Sequence, residues 1–438
     1  MGELIPLLMF PVLLIFLLSG YPVAFILSGT ALLFAGLGHY LDIFYLDDLG
    51  FLPSRIFAIV SNFTLLAVPL FVFMGITLEK SGVAEQLLQT ISYLLRRVRS
   101  SMTLAVIVVG ALLAASTGIV GATVVTMGVL SLPTMLQSGY KKELACGTIA
   151  ASGTLGQIIP PSIVLVLLGD MMNVDVGDLF AGAIFPGILL VGLYIAYVLG
   201  VSFLDKSSED RIEPALKPAS TKEIFAALIP PLLLVTLVLG TILFGIASPT
   251  EAASCGAVGA IFIGFWKGKL NWKVCRNIGI ETAQTTSMVF MILIGAQFFG
   301  VVFRGLSGDE VITDIIQNLQ WGPYWVLLAL MLILFVLGFF LDFLEICFIV
   351  IPIVLPIMTG LGFDPLWLAI LIAVNLQTSF LTPPFGFALF YLKGVAPPEV
   401  STMDIYRGVM PFVAIQIFAL FILAVFPQIV LWLPKAIF

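Results

Sequence analysis

Apolar segments long enough to cross a lipid bilayer recur along the whole chain, and this feature restricts the possible folds most. An α-helix needs about 20 residues to cross the hydrocarbon core. The apolar segments cover residues 3–19, 22–38, 55–78, 103–136, 146–169, 179–204, 223–247, 251–266, 284–304, 323–358, 365–392 and 409–434. Strands of a membrane barrel would alternate apolar and polar side chains, whereas these segments are apolar on every face. We therefore predict an all-α polytopic membrane protein in contact with the lipid bilayer.

The composition excludes several other classes of protein. Of 438 residues, 61% are hydrophobic, and 19 Lys+Arg against 25 Asp+Glu leave a net charge of −6. Soluble domains carry about 25% charged residues, so this chain has too few charged residues to cover the surface of a water-soluble protein of its size. No basic patch suits nucleic acid, and the four cysteines and one histidine show no metal-ligand spacing. The sequence has no GxxxxGK[ST], HExxH or GxSxG motif, so we expect no enzyme and no P-loop ATPase.

Matching features 223 residues apart indicate an internal repeat. The matched pairs are Pro133 with Pro356, Gly139-Tyr140 with Gly362-Phe363, and Pro160-Pro161 with Pro383-Pro384. A polar stretch, 205–222, separates the two halves. We predict a first repeat with its scaffold helices at 1–204, a linker at 205–222, and a second repeat at 223–438.

The apolar stretch 103–136 is broken near Ser116-Thr117-Gly118, which leaves two parts too short to span a bilayer. A re-entrant hairpin, hairpin 1, is therefore predicted, with both ends on one side. Basic residues flank both ends: Arg96, Arg97, Arg99, Lys141 and Lys142. Lys and Arg accumulate on the cytoplasmic side, so hairpin 1 is predicted to enter from the cytoplasm.

The corresponding stretch 323–358 is broken near Gly338 to Glu345, which predicts a second re-entrant hairpin, hairpin 2. Beyond Arg304, the residues on either side of the stretch 323–358 include no Lys or Arg. Hairpin 2 is therefore predicted to enter from outside. Like hairpins that enter from opposite faces form an inverted repeat, which is the plan of secondary transporters with binding sites near the midplane.

The first group of candidate ligands combines the tip of hairpin 1 with the helix that follows it. Small hydroxyl residues and glycines precede a double proline that interrupts the helix and frees backbone carbonyls. Uncharged oxygens of this kind suit Na⁺. The candidate residues are Ser116, Thr117, Gly118, Gly153, Thr154, Gly156, Pro160 and Ser162. Ordinary close packing of small residues between helices is the alternative.

The second group of candidate ligands has the same chemistry in the second half. It combines the tip of hairpin 2 with the helix before the second double proline. The candidate residues are Gly338, Asp342, Asn375, Gln377, Thr378, Ser379, Thr382 and Pro383. Asp342 and Glu345 lie within an apolar segment, and carboxylates inside membranes are usually functional.

Two further charged residues have competing explanations. Arg304 ends an apolar segment, where its guanidinium could bind a substrate carboxylate or reach the membrane interface. Glu251 follows Ser248-Pro249-Thr250, and a helix cap explains this position at least as well as a function does.

The chain resembles the large membrane subunit of tripartite ATP-independent periplasmic (TRAP) transporters, the DctM-like permeases. The resemblance spans nearly the whole chain and is carried by GYPVAF (20–25), AVPLFVFMG (67–75), SGYKKELACGTIAASGTLGQIIPPSI (138–163), DLFAGAIFPG (178–187), LFGIASPTEAA (243–253) and LGFDPLWLAILIAVNLQTSFLTPPFGFALFYLKGVAP (361–397). It implies an elevator-type ion transporter with two re-entrant hairpins and two broken helices. The family usually has a Gly-Ser-Ser-like tip in hairpin 1, where this chain has Ser-Thr-Gly.

The resemblance also implies ligands and partners. One Na⁺ is expected at Ser116-Thr117-Gly118 with Gly153 to Pro160, and another at Gly338 to Asp342 with Asn375 to Pro383. The residues expected to contact substrate are Ser116, Thr117, Ser162, Arg304, Asp342, Gln377 and Thr382. Expected partners are a small four-helix membrane subunit, as a separate chain, and a periplasmic substrate-binding protein.

The function that we expect is Na⁺-coupled import of a carboxylate across the bacterial inner membrane by an elevator mechanism. The substrate would be a 2-oxo acid, another monocarboxylate or a C4-dicarboxylate. An uncoupled channel or structural subunit is one alternative. An intramembrane enzyme that uses Asp342 or Glu345 is another.

Overall fold

The computed structural model describes residues 4–117, 120–204 and 220–437, apart from the side chains of residues 114–117 and 319. These ranges are helical and contain no β-strand. Seven of their helices are long and apolar enough to cross a membrane, and a pair bent by 56°, Leu46–Val60 with Thr64–Lys80, brings the number to eight if it forms one span. The predicted all-α polytopic fold is confirmed.

The two halves have the same order of helices with two exceptions: one long helix, Trp272–Gly305, stands where the first half has Leu52–Val60 and Ala67–Lys80, and the second half ends with an additional helix. Those of the first half are α1 (Ile5–Leu17), α2 (Val23–Tyr40), α3 (Leu52–Val60), α4 (Ala67–Lys80), α5 (Val83–Leu94), α6 (Ser101–Thr117), α7 (Val120–Gln137), α8 (Lys142–Thr154), α9 (Ile163–Met172) and α10 (Val176–Leu204). Those of the second half are α11 (Thr221–Leu243), α12 (Pro249–Trp266), α13 (Trp272–Gly305), α14 (Gly308–Leu319), α15 (Pro323–Leu337), α16 (Phe343–Gly360), α17 (Pro365–Leu381), α18 (Phe387–Val395), α19 (Thr402–Val425) and α20 (Gln428–Ile437).

The helix bounds confirm the repeat. Helix α16 starts and ends 223 residues after α7, and the start of α17 follows that of α8 by the same spacing. The matched glycines have the same role, because Gly139 (φ 78°) and Gly362 (φ 88°) both adopt the left-handed conformation just after α7 and α16. Glycine is favoured there because it has no Cβ. The domain boundaries remain a prediction, since 205–219 of the linker lie outside the described residues.

Hairpin 1 consists of α6 and α7, which pack against each other. Helix α6 has 17 residues, and at 1.5 Å per residue its length of about 26 Å falls short of a hydrocarbon core of about 30 Å. The described part of α6 extends to Thr117 and that of α7 begins at Val120, so Gly118 of the predicted break lies outside the described residues.

Hairpin 2 consists of α15 and α16, joined by the non-helical segment 338–342. The predicted break extended to Glu345, but Glu345 lies within α16. A cavity of about 480 Å³ lies between the two arms and is lined by apolar side chains such as Leu330 of α15 and Ile353 of α16. The arms of hairpin 2 are therefore separated where those of hairpin 1 are packed.

The core of the molecule contains the two helices that precede the double prolines. Helix α8 is buried from Leu144 to Thr154, and α17 is buried from Trp367 to Leu381. At the crossing of α8 with α19, a Cβ on Gly147 would collide with the carbonyl of Gly408. Small residues of this kind allow membrane helices to pack closely, so the core is held by close packing.

Helix caps explain several helix starts outside this core. Ser248 and Glu251 form a capping box at the start of α12, in which Glu251 Oε2 accepts a hydrogen bond of 2.8 Å from the Ser248 backbone N–H. The helix-cap explanation of Glu251 is therefore confirmed. The same arrangement opens α11 at Ser220 and α19 at Ser401.

Candidate functional site

The first broken helix separates α8 from α9. Helix α8 ends at Thr154, a 3₁₀ turn covers Leu155–Gln157, and the backbone remains non-helical through Ser162. Pro161 has no backbone N–H, so a regular helix cannot continue through it. Ser162 Oγ donates a hydrogen bond of 2.8 Å to the carbonyl of Gln157. The interruption leaves other carbonyls without helical partners.

Hairpin 1 lies directly on this broken helix. A Cβ on Gly153 would collide with Val124 of α7, and a Cβ on Gly110 of α6 would lie 2.6 Å from Ser152 Cβ. Of the predicted tip residues, Ser116 and Thr117 belong to α6 by their backbone. Their side chains and the whole of Gly118 lie outside the described residues.

The second broken helix separates α17 from α18. Helix α17 ends at Leu381, and α18 begins at Phe387. Asn375 Nδ2 donates a hydrogen bond of 2.8 Å to the carbonyl of Met331 in α15. A Cβ on Gly338 would collide with Ser379 Oγ. The structure therefore brings Gly338 and Ser379 together, as predicted for one Na⁺ site.

The hydroxyl groups at both breaks share one arrangement: each donates its proton to a nearby backbone carbonyl. The pairs are Ser152 with Ile149, Thr154 with Ala151, Thr378 with Val374, Ser379 with Leu376, and Thr382 with Thr378, at 2.7 to 3.0 Å. A hydroxyl has one proton and two lone pairs, so each oxygen keeps acceptor capacity. These residues therefore fit a hard cation such as Na⁺, which prefers oxygen ligands.

A polar contact joins the two broken helices. Gln377 Nε2 donates a hydrogen bond of 3.4 Å to Thr154 Oγ1, and the two residues are 223 positions apart. Nearby in the core, Gln416 Nε2 of α19 donates a hydrogen bond of 2.7 Å to Tyr194 Oη of α10, across 222 positions. Tyr194 and Gln416 were missed from the sequence.

Asp342 is a helix cap that also faces a cavity. Its Oδ1 accepts a hydrogen bond of 2.7 Å from the N–H of Phe343 at the start of α16. Asp342 and Glu345 line a cavity of about 610 Å³ between hairpin 2 and outer helices, together with Tyr21 and Ser287. Glu345 is 2% exposed, and its Oε2 has no hydrogen-bond partner among the described residues. The described residues that line this cavity include no Lys or Arg.

The cavity that Arg304 lines contains none of the hydroxyl residues of the two breaks. Arg304 Nε donates a hydrogen bond of 3.2 Å to the carbonyl of Gly300, one turn earlier in α13. The guanidinium lines a cavity of about 540 Å³ with Arg55 and Asp170, between α13 and the second arm of hairpin 2. The structure therefore does not bring Arg304 into the groups of hydroxyl residues.

Comparison with known proteins identifies the family. Residues 10–429 match the family model of the tripartite ATP-independent periplasmic transporter, DctM component. The chain belongs to this family. It is 32% identical to the C4-dicarboxylate TRAP transporter large permease protein DctM of Vibrio cholerae, over 98% of this chain and 97% of that protein.

Two further comparisons support this assignment to the TRAP permeases. The chain is 29% identical to the sialic acid TRAP transporter large permease protein SiaM of V. cholerae, over 96% of each chain. Its fold is similar to that of the YdaH transporter of Alcanivorax borkumensis, with a TM-score of 0.66, 16% identity and coverage of 92% of this chain and 98% of that one. This TRAP permease is therefore a multi-pass membrane protein with a known transporter fold.

One other residue of this TRAP permease was missed from the sequence. Gln157 is completely buried in the 3₁₀ turn that follows α8, and within the described part of the chain its Oε1 and its Nε2 both lack hydrogen-bond partners. A buried amide without partners carries a desolvation cost of about 1–3 kcal/mol per group. Only its place just before the double proline could have pointed to it.

Proposed function

We propose that this TRAP permease imports an organic carboxylate together with Na⁺. The observation that supports the proposal best is the repeated chemistry of the two broken helices. At each break, buried hydroxyl oxygens have donated their protons and lie beside a segment of backbone that has left the helix. Half-helix ends and free carbonyls of this kind coordinate Na⁺ in secondary transporters.

Charge compensation gives Na⁺ a physical role. Moving a carboxylate into a negatively charged cell costs about 2.3 kcal/mol per charge per 100 mV. Two Na⁺ ions bound with one monocarboxylate reverse the sign of the charge that moves. The same ions lower the cost of bringing the substrate anion into a membrane interior. Transport of Na⁺ and of the substrate is coupled if the hairpins and broken helices move only when all of their sites are occupied.

The arrangement of helices fits an elevator mechanism in the bacterial inner membrane. In this mechanism the hairpins, the broken helices, α10 and α19 form the moving part, and the outer helices form the scaffold. A small four-helix membrane subunit would brace the scaffold, and a periplasmic binding protein would deliver the substrate. The substrate class that we propose is a carboxylate: a 2-oxo acid, another monocarboxylate or a C4-dicarboxylate.

Reconstitution tests this proposal. The permease, its small subunit and its binding protein are placed in and around liposomes, and uptake of a labelled 2-oxo acid or C4-dicarboxylate is measured in an inward Na⁺ gradient. Uptake should require Na⁺ outside and should stop when K⁺ replaces it. Equal uptake in Na⁺ and K⁺ would contradict symport and favour an uncoupled channel.

A further inference from the structure

Four buried polar side chains from four helices meet in the core, and we call them the polar clamp. They are Thr154 of α8, Tyr194 of α10, Gln377 of α17 and Gln416 of α19, and all four are completely buried. Gln377 donates to Thr154, and Gln416 donates to Tyr194, which lies near Gln377. One hydrogen bond therefore joins the two broken helices to each other, and the other joins α10 to α19.

The clamp lies on the axis that relates the two repeats. Equivalent residues in two repeats touch each other only where they approach the axis between the repeats. Thr154 and Gln377 are separated by 223 positions, which is the spacing of the repeat itself, whereas Tyr194 and Gln416 are separated by 222. The Thr154–Gln377 hydrogen bond therefore connects a position with its counterpart, so a shift of one repeat against the other at the axis would disturb it.

The clamp also touches both groups of candidate Na⁺ ligands. Thr154 is the last residue of α8 before the first interruption. Gln377 is followed immediately by Thr378, whose hydroxyl belongs to the second group. A shift of either broken helix on binding a cation is therefore transmitted to the other through one hydrogen bond.

The amides of the clamp have a second hydrogen-bonding arrangement available. Gln377 Oε1 and Gln416 Oε1 have no partner among the described residues, while the hydroxyl of Thr154 donates to the carbonyl of Ala151. If the Gln377 amide rotates by half a turn, its Oε1 can accept the proton of Thr154. That change releases the Ala151 carbonyl, one turn before the break, as a further oxygen. A switch between two arrangements is the kind of element that couples distant sites.

We propose that the Thr154–Gln377 hydrogen bond couples the two Na⁺ sites, so that the ions bind cooperatively, with Gln377 as a positioning residue that acts through the candidate ligand Thr154. This inference rests on the proposed Na⁺ symport and adds that the sites communicate through the clamp. By linkage the coupling is reciprocal, so substitution of either residue of the pair should change Na⁺ binding at both sites.

Na⁺ titration of uptake by the reconstituted complex tests the inference. The parent should give a Hill coefficient clearly above 1. Gln377→Leu and Thr154→Val should each lower it towards 1 and raise the half-saturating Na⁺ concentration by about fivefold or more, the lower end of common coupling energies. The double variant should be no worse than Thr154→Val alone, because both single variants remove the same contact. Thr154→Ser, which keeps the hydroxyl, should restore the coefficient lost in Thr154→Val.

Thr148→Val is the matched control. Thr148 is buried in the same helix, and its hydroxyl donates to the carbonyl of Leu144 in its own helix. Its Hill coefficient should equal that of the parent. Loss of cooperativity in this control would show general damage to α8 and would overturn the inference.

A second readout covers variants that transport too slowly to titrate. The melting temperature of the purified complex is followed as Na⁺ replaces K⁺, and the Na⁺ dependence should be cooperative in the parent and lose cooperativity in Gln377→Leu. If the parent depends on Na⁺ and the clamp variants keep the same cooperativity, this inference alone is overturned. If neither the uptake nor the melting temperature of the parent depends on Na⁺, the proposed symport and this inference are both overturned.

Discussion

At the residue scale, Asp342 combines a structural role with a charge that two substitutions can separate. Asn caps a helix about as well as Asp does, whereas Ala loses about 1 kcal/mol. Asp342→Asn should therefore keep the melting temperature of the complex and reduce uptake at least tenfold if the negative charge is used. Asp342→Ala should lose uptake and stability together. If Asp342→Asn takes up substrate as fast as the parent does, the negative charge is not used and capping alone explains this residue.

Thr378 carries the corresponding prediction for a hydroxyl ligand. Thr378→Val preserves the shape of a buried side chain and removes the oxygen that has already donated its proton to Val374. The half-saturating Na⁺ concentration for uptake should rise about tenfold, which corresponds to about 1.4 kcal/mol. Thr148→Val again serves as the control, and an unchanged Na⁺ titration in Thr378→Val would remove this residue from the site.

The sequence predicted the residue types at the site better than their individual roles. Hydroxyls before a double proline and a glycine at the break of an apolar stretch are visible as local patterns, so Ser379 and Gly338 were found and do lie in contact. Gln157 and Gln416 do not belong to these patterns of hydroxyls and glycines. Their significance comes from the burial of their amides, and burial depends on which helices pack around them.

At the element scale, hairpin 2 depends on a close contact with α17. Gly338→Ala should displace the start of the 338–342 segment, because the new Cβ would collide with Ser379. We expect a loss of stability of about 1–3 kcal/mol, as for other overpacked sites, and a matching loss of uptake. Gly360, at the other end of the same hairpin, is the control: no described atom lies within 4 Å of the position that its added Cβ would take. Gly360→Ala should therefore leave the melting temperature and the uptake unchanged.

Hairpin positions could be predicted because each apolar stretch is interrupted before it reaches the length of about 20 residues that a span needs. The end of the second break could not, since α16 starts at Phe343 with a cap from Asp342 and Glu345 lies inside the helix. An apolar run with two carboxylates gives no sign of which of them caps. That distinction needs the backbone geometry.

At the scale of the whole molecule, the number of charges moved is measurable. If two Na⁺ ions accompany one monocarboxylate, each cycle carries one positive charge inward. An inside-negative K⁺ diffusion potential of 100 mV should then favour accumulation by about 2.3 kcal/mol, a factor of about 50 at equilibrium. Accumulation at fixed Na⁺ and substrate gradients checks this, and independence from the potential would indicate electroneutral transport.

The overall architecture was predictable because a repeated pattern of prolines and glycines is preserved in the sequence itself. The polar clamp was not, because its four members are far apart along the chain and only the packing of α8, α10, α17 and α19 brings them together.

The two hairpins differ in how their arms pack, and this difference has a mechanical consequence. The arms of hairpin 1 pack against each other and against α8, whereas the arms of hairpin 2 border a cavity of about 480 Å³. We therefore expect that an arm of hairpin 2 can move with less loss of packing than an arm of hairpin 1.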